Sequence, residues 1–195
     1  MLDFPNSRLA IKELANEMVK HLKRNICDTK TPRAWTGQNF DLLEEFFRGL
    51  GVDCQFTNSA NGREFLWDFI GYIKHCGVLI TAESEHDTRP EAIAADFDRL
   101  LYGISPLKLM ICRIDKRFNT DELALEEAGR ICRGREVDLK SSCMHYASGE
   151  IFIIYCVRWA DKHGRNQDLA YTLQVEGEPN YAHVGSDQQF RSVTN

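Results

Sequence analysis

The sequence predicts an α/β fold, a mixed sheet flanked by helices, with an extra helix ahead of the core and a strand hairpin behind it. Three observations carry this. Residues 64–87 hold two aromatic and β-branched runs on either side of Lys74-His75-Cys76-Gly77, a strand pair around a tight turn. Residues 107–114 are almost continuously apolar, as in a strand covered on both faces. Segments with apolar residues at helical spacing alternate with these strands.

The first helix is expected over residues 7–24, where Leu9, Ile11, Leu14, Ala15, Met18, Val19 and Leu22 form one stripe. Asn6 or Ser7 can cap it, and Lys20, Lys23 and Arg24 suit its C-terminal end. Residues 28–37 read as a polar connection carrying Lys30, Arg33 and Trp35. Such a cluster either meets phosphates and bases or, more commonly, is a surface loop with one anchoring Trp. A second helix follows over residues 39–50, with Phe40, Leu43, Phe46 and Phe47 inward and Gly51 closing it. Residues 52–57 are a short strand and residues 58–62 a turn.

After the central hairpin, Thr88 is the expected cap of a helix running to about Tyr102. Pro90 stands in its first turn, and Ile93, Phe97, Leu100 and Leu101 face inward. A crossover from the second hairpin strand to residues 107–114 implies a parallel connection there. A further helix over residues 120–132 begins at Thr120. Residues 150–159 and 169–175 form a late hairpin around residues 161–164, and the polar tail 176–195 packs loosely. The expected organisation is a single domain over 1–195, its core at about 39–114.

Composition bounds the function. With 195 residues, 43% apolar and 27% charged, the chain reads as a soluble globular protein with a substantial core. No apolar run approaches the roughly 20 residues needed to span a bilayer, so no membrane partner is expected. Residues 1–6 lead into a charged helix rather than a secretory leader. The seven cysteines form no Cys-x-x-Cys, which disfavours both a disulfide framework and a zinc ribbon and makes the cytoplasm the simplest location. A net charge of −5 argues against a surface coated in basic patches, without excluding an enzyme that acts on nucleic acid.

The chemistry concentrates in three carboxylates. Alternation places Asp68 on a face with Leu66, Ile70 and Tyr72, and places Glu83 and Glu85 together on the neighbouring strand with Leu79 and Thr81. An acid inside an apolar strand is costly to bury unless something pairs it. A hard divalent cation suits several carboxylates at once, so Asp68, Glu83 and Glu85 are candidate metal-ligating residues for magnesium, manganese or calcium. The bland alternative is acids at the sheet rim that meet water, and for Glu85 alone it is the better one. Lys74, Lys108, His86 and the Cys143/His145 pair are weaker candidates. The dispersed histidines give no zinc spacing, and no glycine-rich phosphate loop is present.

Motif and element order together resemble the PD-(D/E)xK nuclease superfamily, the restriction-endonuclease-like fold with an α-β-β-β-α-β core. Asp68 matches its first acid, Glu83 its second, Ser84 the spacer, and Glu85 stands where the lysine usually is. Glu44 or Glu45 matches the acid that the family often carries on the preceding helix. Some branches add a Gln and a Tyr on the helix after the third strand; here Asp98 and Tyr102 occupy those places. The resemblance, over about residues 39–114, implies a Mg- or Mn-dependent nuclease acting on DNA or RNA. It leaves two other readings open: a catalytically degenerate member of the fold that binds protein or nucleic acid, and an unrelated α/β protein with rim carboxylates.

Overall fold

The computed structural model describes residues 8–25, 32–56, 67–115, 117–141, 150–158, 168–174, 181–184 and 191–193. Four helices are present among them: α1 (Arg8–Asn25), α2 (Pro32–Gly49), α3 (Pro90–Leu101) and α4 (Asp121–Ser141). The strands are β1 (Asp53–Phe56), β2 (Phe69–Ile73), β3 (Gly77–Glu85), β4 (Leu107–Ile114), β5 (Ile151–Arg158), β6 (Asp168–Gln174), β7 (Tyr181–Val184) and β8 (Arg191–Val193). They lie side by side in chain order. β2 runs antiparallel to both β1 and β3; β3, β4 and β5 run parallel; and from β5 to β8 each strand is antiparallel to the next. The result is a mixed open sheet with helices packed against β1 to β6.

Alternation along β4 divides the core in two. Leu107, Leu109 and Ile111 pack with Met18, Leu22, Phe40, Leu43 and Phe47 of α1 and α2. Met110, Cys112 and Ile114 pack with Ile93, Phe97, Leu100, Ala128 and Cys132 of α3 and α4. All eight residues of β4 are buried, as expected for a strand sandwiched between two helical layers. Among the described residues no helix is long and apolar enough to cross a membrane.

Backbone geometry explains where elements turn. Gly51, with φ +77°, closes α2 as its spacing suggests, while the Val52 N–H returns to the Phe47 carbonyl at 3.0 Å. In the β2–β3 turn both His75 (φ 66°) and Gly77 (φ 113°) take positive values, and the Cys76 N–H reaches the Ile73 carbonyl at 2.9 Å.

The structure corrects several boundaries. α2 begins at Pro32, whose fixed φ suits a first helical position, so residues 32–37 of the expected polar loop are helical, while residues 28–31 lie outside the described residues. Trp35 is fully buried against the core rather than anchoring a surface loop. Lys30 and the side chain of Arg33 lie outside the described residues. β2 begins at Phe69, so Asp68 sits in the bend just before the strand rather than within it. Thr88 does not cap α3: Arg89 holds the cap position with no side-chain hydrogen bond, and Thr88 Oγ1 donates to Asp115 Oδ2 at 3.3 Å. Thr120 does act as a cap, accepting the Leu123 N–H at 3.3 Å, and α4 runs on to Ser141. The tail expected to pack loosely carries β7 and β8, which extend the sheet.

Candidate functional site

The antiparallel register pairs Phe69 with Ala82 and so sets Asp68 and Glu83, one step further out, across from each other at the end of the hairpin away from its turn. The Ser84 N–H donates to Asp68 Oδ2 at 3.2 Å, which ties the bend to β3. Ser84 points to the opposite layer, where its Oγ accepts from Asn39 Nδ2 of α2 at 2.9 Å. The spacer residue is therefore held by its backbone N–H to the bend and by its side chain to α2.

Glu83 and Glu85 face α3. Asp96 and Arg99, a turn apart on that helix, complete the cluster. Arg99 Nη1 lies 3.1 Å from Glu83 Oε2, and its Nη2 donates to Asp96 Oδ1. The carboxyls of Asp68 and Glu83 are within hydrogen-bonding reach of each other, as are those of Asp96 and Glu85. Glu85 Oε1 also accepts the Asp87 N–H at 2.6 Å. The Trp67 indole N–H donates to the Arg99 carbonyl at 2.8 Å, locking the bend against α3.

Electrostatics follow from this crowding. The Glu83 side chain is 0% exposed, and burial, reinforced by the charge of Asp68 and opposed by Arg99, pushes its carboxyl up to about 9. Burial likewise raises Asp68, opposed first by the Ser84 N–H. Asp96 is held above the usual carboxylate range by burial, against the pull of Arg99. Glu83 Oε1 is buried without a hydrogen-bond partner. Such an atom carries the desolvation penalty of an unmade bond unless a group beside it fills the gap: a proton shared with Asp68 in the metal-free chain, or a cation held by both carboxyls. The residues fit a hard cation that displaces the Glu83 proton: oxygen donors, four neighbouring carboxyls beside one guanidinium, and a buried oxygen with no fixed protein donor. Asp68 and Glu83 would hold it, with Glu85 and Asp96 adjacent. Among the described residues no three His, Cys, Asp or Glu side chains already form a metal cage. The acids stand instead as two pairs linked by Arg99.

The other sequence candidates lie elsewhere. Glu44 pairs with Arg48 at 2.7 Å, and Glu45 is exposed. Lys74 is exposed in the turn, at the far end of the hairpin from the acids. Lys108 is buried and bound to Glu150 at 2.8 Å, over the Phe152 ring. His86 contacts Arg113 and the edge of Trp35. Asp98 and Tyr102 are both exposed, so the Gln and Tyr places on α3 do not serve the site. Cys143 and His145 lie outside the described residues.

Sequence reasoning missed Asp96 and Arg99. The signal was present for Asp96, which falls three residues after Ile93 and one before Phe97, inside the buried stripe of α3. A carboxylate there calls for a partner, and the partner is one turn further on. The chain matches no protein-family model and no curated protein sequence.

Proposed function

We propose that the chain is a metal-dependent phosphodiesterase acting on DNA or RNA, of the restriction-endonuclease-like kind, with Asp68, Glu83 and Glu85 as its working acids and Mg or Mn as its ion. The observation that carries this reading is the facing of Asp68 and Glu83 across the β2–β3 register, with Glu83 Oε1 buried and unpartnered. The pairing order supports it: α2, an antiparallel β1–β2–β3, then α3 leading to a parallel β4.

A bound divalent ion would supply charge neutralisation at the scissile phosphate and acidify the attacking water. The chain's residues do the rest. Asp68, oriented by the Ser84 N–H, and Glu83, oriented by Arg99, supply the ligand oxygens. Glu85, less buried and held by the Asp87 N–H, accepts the proton from the attacking water. The division of the acids into two pairs favours a second reading, a degenerate member of the fold that binds a protein or nucleic acid without cleaving it. One assay separates the two: purified protein with Mg or Mn on single- and double-stranded DNA and RNA, beside Asp68→Ala. Metal-dependent cleavage abolished by the substitution supports the enzyme. Cleavage that survives it comes from a contaminant, and no cleavage on any substrate leaves the binding module.

A further inference from the structure

In the site just proposed, the position expected to carry a lysine carries Glu85, which adds negative charge where a cation is needed. The groups facing Glu83 are Asp68 from the bend, Asp96 and Arg99 from α3, and Glu85 on its own strand. Of these only Arg99 is positive. Its fork spans two elements, taking one oxygen of Glu83 on β3 and one of Asp96 on α3. A guanidinium has the planar geometry for this; an ammonium can serve only as a point charge. Each of the two facing acids then has one oxygen fixed by the protein, Asp68 Oδ2 by the Ser84 N–H and Glu83 Oε2 by Arg99. Glu83 Oε1 is left over.

We propose that Arg99 is a positioning residue of this site, pinning Glu83 and Asp96 so that Glu83 Oε1 and Asp68 are presented together to one divalent cation. The inference rests on the reading of these acids as a metal site. Arg99 does not touch the ion; it sets the direction of the carboxylate that does, and it offsets part of the repulsion among four neighbouring acids. Its side chain is 43% exposed while those of Glu83 and Asp96 are 0% and 8%, so the guanidinium stands at the mouth of the cluster over buried acids. The opposite role, a tethered cation that occupies the metal's place, predicts the reverse effect of removing it.

The test is Mn2+ binding, measured calorimetrically on the full chain for the wild type, Arg99→Gln, Arg99→Lys and Glu83→Gln, with circular dichroism checking the fold of each. Loss of an outer hydrogen bond that orients a ligand weakens metal binding by roughly tenfold or more, and that loss is expected for R99Q. R99K, which keeps the charge without the fork, is expected to fall between R99Q and the wild type. Binding by R99Q as tight as the wild type, or tighter, overturns the proposal; tighter binding identifies Arg99 as a competitor of the ion. If R99Q does not fold, R99K decides: weaker binding supports positioning, and equal or tighter binding overturns it. Mn2+ binding by the wild type that Glu83→Gln leaves untouched, or no binding at all, removes the metal site itself and the role of Arg99 with it.

Discussion

The backbone N–H of Ser84 reaches Asp68 Oδ2 at 3.2 Å, so the residue between the two acids of β3 holds the acid of the neighbouring strand. Ser84 gives its side chain to Asn39 on the other face of the sheet. Ser84 thus ties the bend that carries Asp68 to β3 and ties β3 to α2, while Trp67 ties the same bend to α3.

Divalent cations are expected to stabilise the folded chain through these two acids. Ligand that binds only the folded state at 100 times its Kd adds about 2.7 kcal/mol, a readily measured rise in Tm. Asp68→Ala and Glu83→Gln should each abolish the rise with Mn2+. Glu45→Gln, at an exposed position of α2, should leave it intact. A differential melt with and without millimolar Mn2+ reads this.

Without metal, stability is expected to fall as pH rises. The Glu83 carboxyl titrates at about 9 in the folded chain against an ordinary 4.5, so between those values the folded state binds more protons than the unfolded one. Stability is full below about 4.5 and is lost as pH climbs toward 9, because burial penalises the charge. Asp68 and Asp96 are shifted in the same direction and add to the slope. Glu83→Gln should flatten the profile and stabilise the metal-free protein near neutral pH by on the order of 2 kcal/mol. Urea melts across pH 5 to 8.5 test it; a wild-type profile that rises with pH contradicts it.

Trp35 separates two effects at one buried site. Its ring packs with the core of α1 and α2, and its Nε1 is buried without a hydrogen-bond partner. Trp35→Ala should cost about 3–5 kcal/mol by opening a cavity. Trp35→Phe keeps much of the packing and removes the unmet donor, so its cost is expected to stay under about 1.5 kcal/mol. Equilibrium unfolding of both variants tests the ordering.

Lys108 and Glu150 join the starts of β4 and β5 through a buried ion pair at 2.8 Å. Lys108→Met alone should cost about 3–5 kcal/mol, because it strands the Glu150 charge. Adding Glu150→Gln should restore a large part of that loss, a coupling that a double-mutant cycle measures directly.

Much of this fold was legible in the sequence because hydrophobic periodicity reports burial. The stripe from Leu14 to Leu22, the apolar run of β4 and the tight turn at Gly77 each led to the right element. Alternation brought Asp68 and Glu83 to neighbouring strands; their facing rests on the β2–β3 register, which the sequence did not supply. What stayed hidden was polar. The start of α2 was hidden because Pro32, Arg33, Thr36 and Gly37 have loop composition, although Trp35 and Asn39, four apart and both buried, mark one helix face. Asp96 and Arg99 were hidden because an apolar stripe is sought by its apolar members, while the helix spends one stripe position on a carboxylate that pairs with Arg99. Lys108 was read as a candidate for the site, but its partner Glu150 is distant in sequence, and only the parallel β4–β5 pairing brings the two together.

The central claim is that Asp68 and Glu83 share one divalent cation. Its most direct measurement is anomalous scattering from a crystal of the full chain grown with Mn2+. The account predicts an anomalous peak within coordination distance, about 2.0–2.3 Å, of a carboxylate oxygen of Asp68 and of Glu83 Oε1. A well-ordered map with both carboxylates in place and no peak between them, at saturating Mn2+, contradicts it.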